Sequence, residues 1–195
     1  MASHNSRQAA GHTKRRDTIT RLLDTADELF ADSDYANFGV TDISGSVPVS
    51  PVTFYKIYPR KASWGAAVLD RRLNTLLVEQ ASQAQEVAAT PHAQLLGKLG
   101  LLADAASPMR GITTALAEER LNGRQYGAMV HWYHDGVAQA IWEGQEADVF
   151  RRGVNPRVLA DFALDSMVTS YAACVDDTAM KIVPGLVVDG LTKGQ

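Results

Sequence analysis

Between positions 50 and 61 the chain reads Ser-Pro-Val-Thr-Phe-Tyr-Lys-Ile-Tyr-Pro-Arg-Lys, a run dense in hydrogen-bonding groups. Ser50 followed by Pro51 is a helix start. The serine hydroxyl satisfies an orphan backbone N–H, and proline at the first helical position lacks the donor that would go unpaired. Pro59 stops the segment soon afterwards. Thr53, Tyr55 and Lys56 therefore sit on a very short helix that is polar and aromatic on one side. Such a helix is poorly suited to a core. It is well suited to a DNA groove, where hydroxyls and cations meet base edges and phosphates.

Two other constellations carry chemistry. His131 and His134 stand at i and i+3, on one helical face, with Asp135 beside them; Glu118 or Glu119 of a preceding segment could complete a metal site. That arrangement would serve a helical metal-dependent hydrolase. Two histidines without a third fixed ligand are a weak signal, and satisfied or solvated histidines more often occupy such positions. The stretch Tyr126, Met129, Val130, Trp132, Tyr133, Val137 and Trp142 is instead dense in aromatic and soft side chains. With Met109, Leu116, Phe162 and Met167 it could wall an apolar cavity for a small organic molecule, although ordinary core packing is the commoner fate of any one of them.

The elements that must position these groups are all helical. Ile19, Leu22, Leu23, Ala26, Leu29 and Phe30 form one apolar stripe, so a helix is expected from about residue 14 to about 32. Tyr35 to Gly39 reads as a loop. Val40, Ile43 and Val47 give a short helix one buried face, and Pro48 turns the chain before Ser50. Val49, Phe54 and Tyr58 offer inward positions for packing on Ile43 and Phe30. A connecting helix opens at Lys61 and runs to about 80. Further helices are expected at about 92–106, 109–122, 124–148, 156–175 and 177–192, the last of them interrupted by Pro184. No alternating strand pattern is found.

Composition sets the bounds. The chain has 195 residues, of which 46 % are hydrophobic, enough for a sizeable core. No stretch approaches the roughly 18 apolar residues of a membrane span, and the first residues show no apolar signal-peptide core. Cys174 is alone, which excludes an intrachain disulfide and points to a reducing cytoplasm. The net charge of −3 argues against nucleic acid until it is resolved along the chain. Residues 1–16 hold Arg7, Lys14, Arg15 and Arg16 and no acid, a surplus of +4. Residues 1–13 read as a disordered basic arm, solvated or phosphate-seeking.

With these residues in view, the chain resembles the tetracycline-repressor (TetR) family. Phe30, Tyr35, Val40-x-x-Ile43, Val49-Ser50, Phe54-Tyr55, Tyr58-Pro59 and Lys61 follow the spacing of that family's helix-turn-helix over about residues 15–70. Asp34, Phe38-Gly39, Pro48 and Ala62 depart from its usual residues. The resemblance implies an all-α fold with an N-terminal three-helix helix-turn-helix DNA-binding domain at 14–61. A C-terminal helical ligand-binding and dimerisation domain at 62–195 follows, entered through the connecting helix.

It further implies a ligand-responsive transcriptional regulator, usually a repressor, and neither an enzyme nor a cofactor protein. Pro51, Val52 and Thr53 then lie nearest the base edges, with Lys56 one turn on and the capping Ser50 counted with them in the DNA-binding surface. Tyr55, Thr41 and Lys61 hold phosphates. The implied partners are a double-stranded palindromic operator, a small, mostly apolar effector, and a second copy bound through the helices at about 156–175 and 177–192. An effector-free DNA-binding protein is the other alternative beside the hydrolase.

Overall fold

The computed structural model describes residues 2–32, 35–83, 90–107, 111, 129–173 and 177–193. Among these residues the chain is helical, with one isolated bridge between Phe150 and Thr192. In chain order the helices are α1 (Ala2–Asp32), α2 (Val40–Gly45), α3 (Pro51–Ile57), α4 (Lys61–Gln83), α5 (Pro91–Ala106), α6 (Met129–Glu146), α7 (Pro156–Ala173) and α8 (Asp177–Leu191). A single 3-10 turn, Tyr35–Asn37, joins α1 to α2. Of the helix expected at 109–122 only residue 111 is described, and it is helical; the rest lies outside the described residues.

Three boundaries differ from the sequence reading. The first helix starts at Ala2, so the expected disordered arm is helical. Its alanines, glutamine and arginines are good helix formers, and Gly11 alone costs only about 1 kcal/mol. The Tyr35–Asn37 segment is a 3-10 turn because Tyr35 and Phe38 are drawn into the core, at 6 % and 7 % exposure. Finally, α8 runs through Pro184, with Val183 and Val187 buried on either side of it. Packing of α8 on α5 and α7 offsets the missing backbone donor.

Helices α1 to α3 close around Leu22, Ala26, Ile43, Val47 and Phe54, all buried. An aromatic cluster ties this head to α4. Phe30 stacks on Trp64 at 6.0 Å, and Phe38 meets both edge-on, at 5.4 Å from Phe30 and 6.0 Å from Trp64. Beyond Trp64, α4 carries Leu69 and Leu73 toward α5, whose Leu95, Leu99 and Leu102 are buried among α6, α7 and α8. One apolar core thus runs through the whole described chain. Among the described residues, no helix is long and apolar enough to cross a membrane.

Candidate nucleic-acid interface

The second and third helices are built as a supported pair. Gly39 has no side chain with which to cap α2. Asp42 supplies the other half of a capping box, accepting from the Gly39 N–H at 2.6 Å. The α2 helix ends at Gly45, and Val47 folds back into the core at 3 % exposure. Ser50 then caps α3, its hydroxyl oxygen accepting from the Thr53 N–H at 3.2 Å, with Pro51 in the first turn.

Phe54 anchors the underside of α3 at zero exposure, against Tyr58 at 5.7 Å. Burial raises the Tyr58 hydroxyl to about 12. With that side fixed, the opposite side must face outward. Val52 is 64 % exposed and Tyr55 is 50 % exposed, while Ser50, Pro51 and Lys56 are exposed beside them and Thr53 is half-buried. Thr41 is exposed on α2. The Thr53 hydroxyl also lies 3.1 Å from the Ser50 hydroxyl, so a base edge would have to share it with the cap.

Lys61 is placed differently from expectation. Its ammonium donates to the backbone carbonyls of Tyr35 and Phe38 and lies over both rings, 3.9 Å and 4.4 Å from their centres. Burial lowers its pKa, with Asp42 acting in the opposite sense. Lys61 is a clasp that closes the chain between α1 and α2 onto the start of α4, not an outward phosphate donor. The sequence could not show this, since the two carbonyls belong to a turn far upstream.

The aromatic segment proves only partly accessible. Met109, Leu116 and Tyr126 lie outside the described residues, as do the side chains of Met129 and His131. Trp132 is 39 % exposed and donates its indole N–H to Asp70 of α4 at 2.9 Å. Tyr133 is buried, with its hydroxyl donated to the Lys98 carbonyl of α5, and Met167 is buried beside Tyr171. Phe162, expected as a pocket wall, is 57 % exposed on the outer side of α7. The inner face of α7 is occupied by Ala160, Ala163, Leu164 and Met167, which leaves Phe162 pointing away.

Of the histidine pair, His134 is taken up by packing. The His134 Nε2 lies 3.2 Å from Asp161 of α7, out of line for a hydrogen bond, and Asp135 pairs with Arg157 of α7 at 3.0 Å. The described members of the constellation thus face α7. Sequence reasoning missed a cleft of about 480 Å³ between α4, α5 and α6, lined by Leu77, Gly97, Lys98, Leu101, Gly136 and Gln139 among others. Its only sequence signal is glycine on two facing helices.

Solved structures share this architecture. A TetR-family transcriptional regulator from Agrobacterium tumefaciens superposes with a TM-score of 0.56 at 17 % identity, over 92 % of this chain and 100 % of that one. FadR of Thermus thermophilus, a TetR-family transcriptional repressor in complex with lauroyl-CoA, gives 0.60 at 17 % identity, over 91 % and 96 %. RolR in complex with resorcinol gives 0.52 at 18 % identity, over 92 % and 90 %. No family model and no curated protein matches the sequence. The chain therefore has the fold of TetR-family regulators, an N-terminal helix-turn-helix joined to a helical domain.

Proposed function

We propose that the protein is a ligand-responsive transcriptional regulator that reads a palindromic operator as a homodimer. The observation that carries this reading is the presentation of α3. Its first turn is capped, its underside is fixed by fully buried Phe54, and Val52, Tyr55 and Lys56 face outward together. A recognition helix needs this combination, because its N-terminal residues must reach base edges while the rest of the head stays rigid. In the proposed roles Val52 and the Thr53 methyl touch thymine methyl groups, Thr53 also donates to a base edge, and Tyr55 and Thr41 hold phosphates.

The reading head extends to about residue 61 and the effector and dimer part lies beyond it. Two helical faces support pairing of copies. Val158 and Phe162 on α7 are 55 % and 57 % exposed, and Ile182 and Leu186 on α8 are 55 % and 66 % exposed. Each pair lies one turn apart, and α7 and α8 pack together, so the exposed apolar side chains offer a self-complementary surface of the kind a two-fold dimer buries. Two heads then read half-sites about 34 Å apart or a multiple of that. An effector acts by preferring the dimer conformation that cannot span both half-sites. The FadR and RolR ligands motivate small organic molecules as candidates, and the fold relationship favours repression.

Selection of bound sequences from random duplex DNA tests the reading. A palindromic consensus is expected, with Tyr55→Phe weakening all sequences and Thr53→Ala changing preference at one position of each half-site. Recovery of no consensus from wild-type protein at low salt would sink the proposal.

A further inference from the structure

The stretch of α1 from Gly11 to Asp17 is exposed along its whole length. The helix is continuous from Ala2, yet each of these seven residues is exposed, and burial begins only at Thr18. A helix that packs on nothing gains little from its sequence alone. Its charge is also one-sided. Residues 1–16 carry +4, so a chain of net −3 carries −7 in all the rest.

The cations elsewhere are widely committed. Arg71 pairs with Asp24 at 2.6 Å, Arg72 with Asp27 at 2.7 Å and Arg157 with Asp135 at 3.0 Å, and Arg151 donates to the Thr192 carbonyl. By contrast, Lys14, Arg15 and Arg16 are exposed and pair with no acid among the described residues. Positions 7 and 14 lie two turns apart and so share a face of the helix, with 15 adjacent. From Thr18 back to position 7 the helix runs on for about 16 Å, at about 1.5 Å per residue.

We infer that this N-terminal stretch of α1 is a second DNA contact, a rail that binds backbone phosphates flanking the sequence read by α3. This rests on the operator-binding reading above, which puts a duplex next to the same head. A polyanion with a regular phosphate spacing fits a row of cations on a helix; about 16 Å of rail passes several phosphates, which recur about every 3.4 Å along one strand. The rail contributes affinity and carries no base preference, since none of its described cations is fixed by packing toward a base edge.

The test compares the full-length protein with the variant Arg7→Ala/Lys14→Ala/Arg15→Ala/Arg16→Ala on the selected operator, with long and with trimmed flanking DNA, across a salt series. On the long duplex the variant should bind roughly tenfold or more weakly, and its slope of log affinity against log salt should fall by about 0.9 for each phosphate that a subunit no longer neutralises. Its consensus sequence should stay unchanged. Trimming the flanks should weaken the wild type and leave the variant unaffected. Helical continuity has its own readout: Gly11→Ala should tighten binding and Gly11→Pro should loosen it toward the variant's level.

If the wild type selects an operator but the quadruple variant matches it in affinity and slope, the rail is wrong and the operator reading stands. A wild type that selects no sequence overturns both. If the cations prove to matter only for binding vesicles containing phosphatidylserine, with DNA binding unchanged, the segment serves a membrane surface and the inference fails.

Discussion

The indole N–H of Trp64 donates to the backbone carbonyl of Leu22 at 2.8 Å, across the junction between α4 and α1. Both residues have zero exposure. The bond passes between the helix that opens the helix-turn-helix and the helix that leads out of it. Around it, Phe30 and Phe38 pack on the indole ring, and the Arg71–Asp24 and Arg72–Asp27 pairs extend the junction outward along both helices. The head is thereby fixed to α4 by an inner apolar layer and an outer charged one. Trp64→Phe removes a buried donor and part of the packed volume. It should cost about 1–3 kcal/mol, read as a lower midpoint in urea unfolding.

Lys61 holds the turn after α1 in a different way. Lys61→Met keeps the aliphatic stem but removes both hydrogen bonds to the Tyr35 and Phe38 carbonyls and the cation over their rings. A loss of about 1–3 kcal/mol is expected, with faster amide exchange around α2. Lys61→Arg should not restore it, because a planar fork does not fit where an ammonium sits between two carbonyls. Were Lys61 a phosphate donor instead, Lys61→Met would leave stability alone and lower only the salt slope of DNA binding.

The exposed apolar pairs on α7 and α8 predict the oligomeric state. Phe162→Ser combined with Leu186→Ser changes only exposed side chains, so folding should survive, with circular dichroism unchanged. Sedimentation should show a dimer for the wild type and a shift toward monomer for the double variant, accompanied by weaker operator binding. A wild type that sediments as a monomer at micromolar concentration would remove the dimer from the proposal.

Stability should fall at alkaline pH. Burial raises the hydroxyls of Tyr35, Tyr58 and Tyr133 above the ordinary value of 10.0, Tyr58 to about 12. For each the folded state holds its proton more tightly than the unfolded chain. Their contribution is therefore complete below pH 10 and is lost as pH rises through the folded value, between pH 10 and about 12 for Tyr58. Tyr58→Phe should flatten part of that decline, measured by denaturant midpoints at successive pH values. An unchanged slope would place Tyr58 in water.

Gly144 meets Phe150 so closely that an added Cβ would lie 2.1 Å from the ring, and Phe150 is fully buried with nowhere to move. The Gly144 carbonyl also accepts the Val149 and Phe150 N–H groups at 2.8 and 3.1 Å, closing the turn after α6. Gly144→Ala should destabilise by about 1–3 kcal/mol despite its better helix propensity. Gly97→Ala and Gly100→Ala, with open space at the same atom, should not.

What the sequence determined by itself is what local chemistry governs. The start of α3 at Pro51 follows from Ser50 and proline in adjacent positions, and the buried sides of α1 to α3 follow from apolar spacing. The helix-turn-helix was legible because its core positions and its turn lie within one short stretch of chain. Outward presentation of Val52 and Tyr55 followed from the same periodicity, since a helix that buries Phe54 must expose the residues around the other side. Contacts between distant segments decided the rest. Lys61 is a long, flexible cation whose destination depends on which carbonyls the fold leaves within reach. Phe162 and Met167 look alike as apolar residues of one helix, yet only packing against α6 and α8 settles that one is buried and the other is left at the surface. The N-terminal segment shows the same division: composition registered its charge, while its continuation of α1 required the packed second half of that helix as a template.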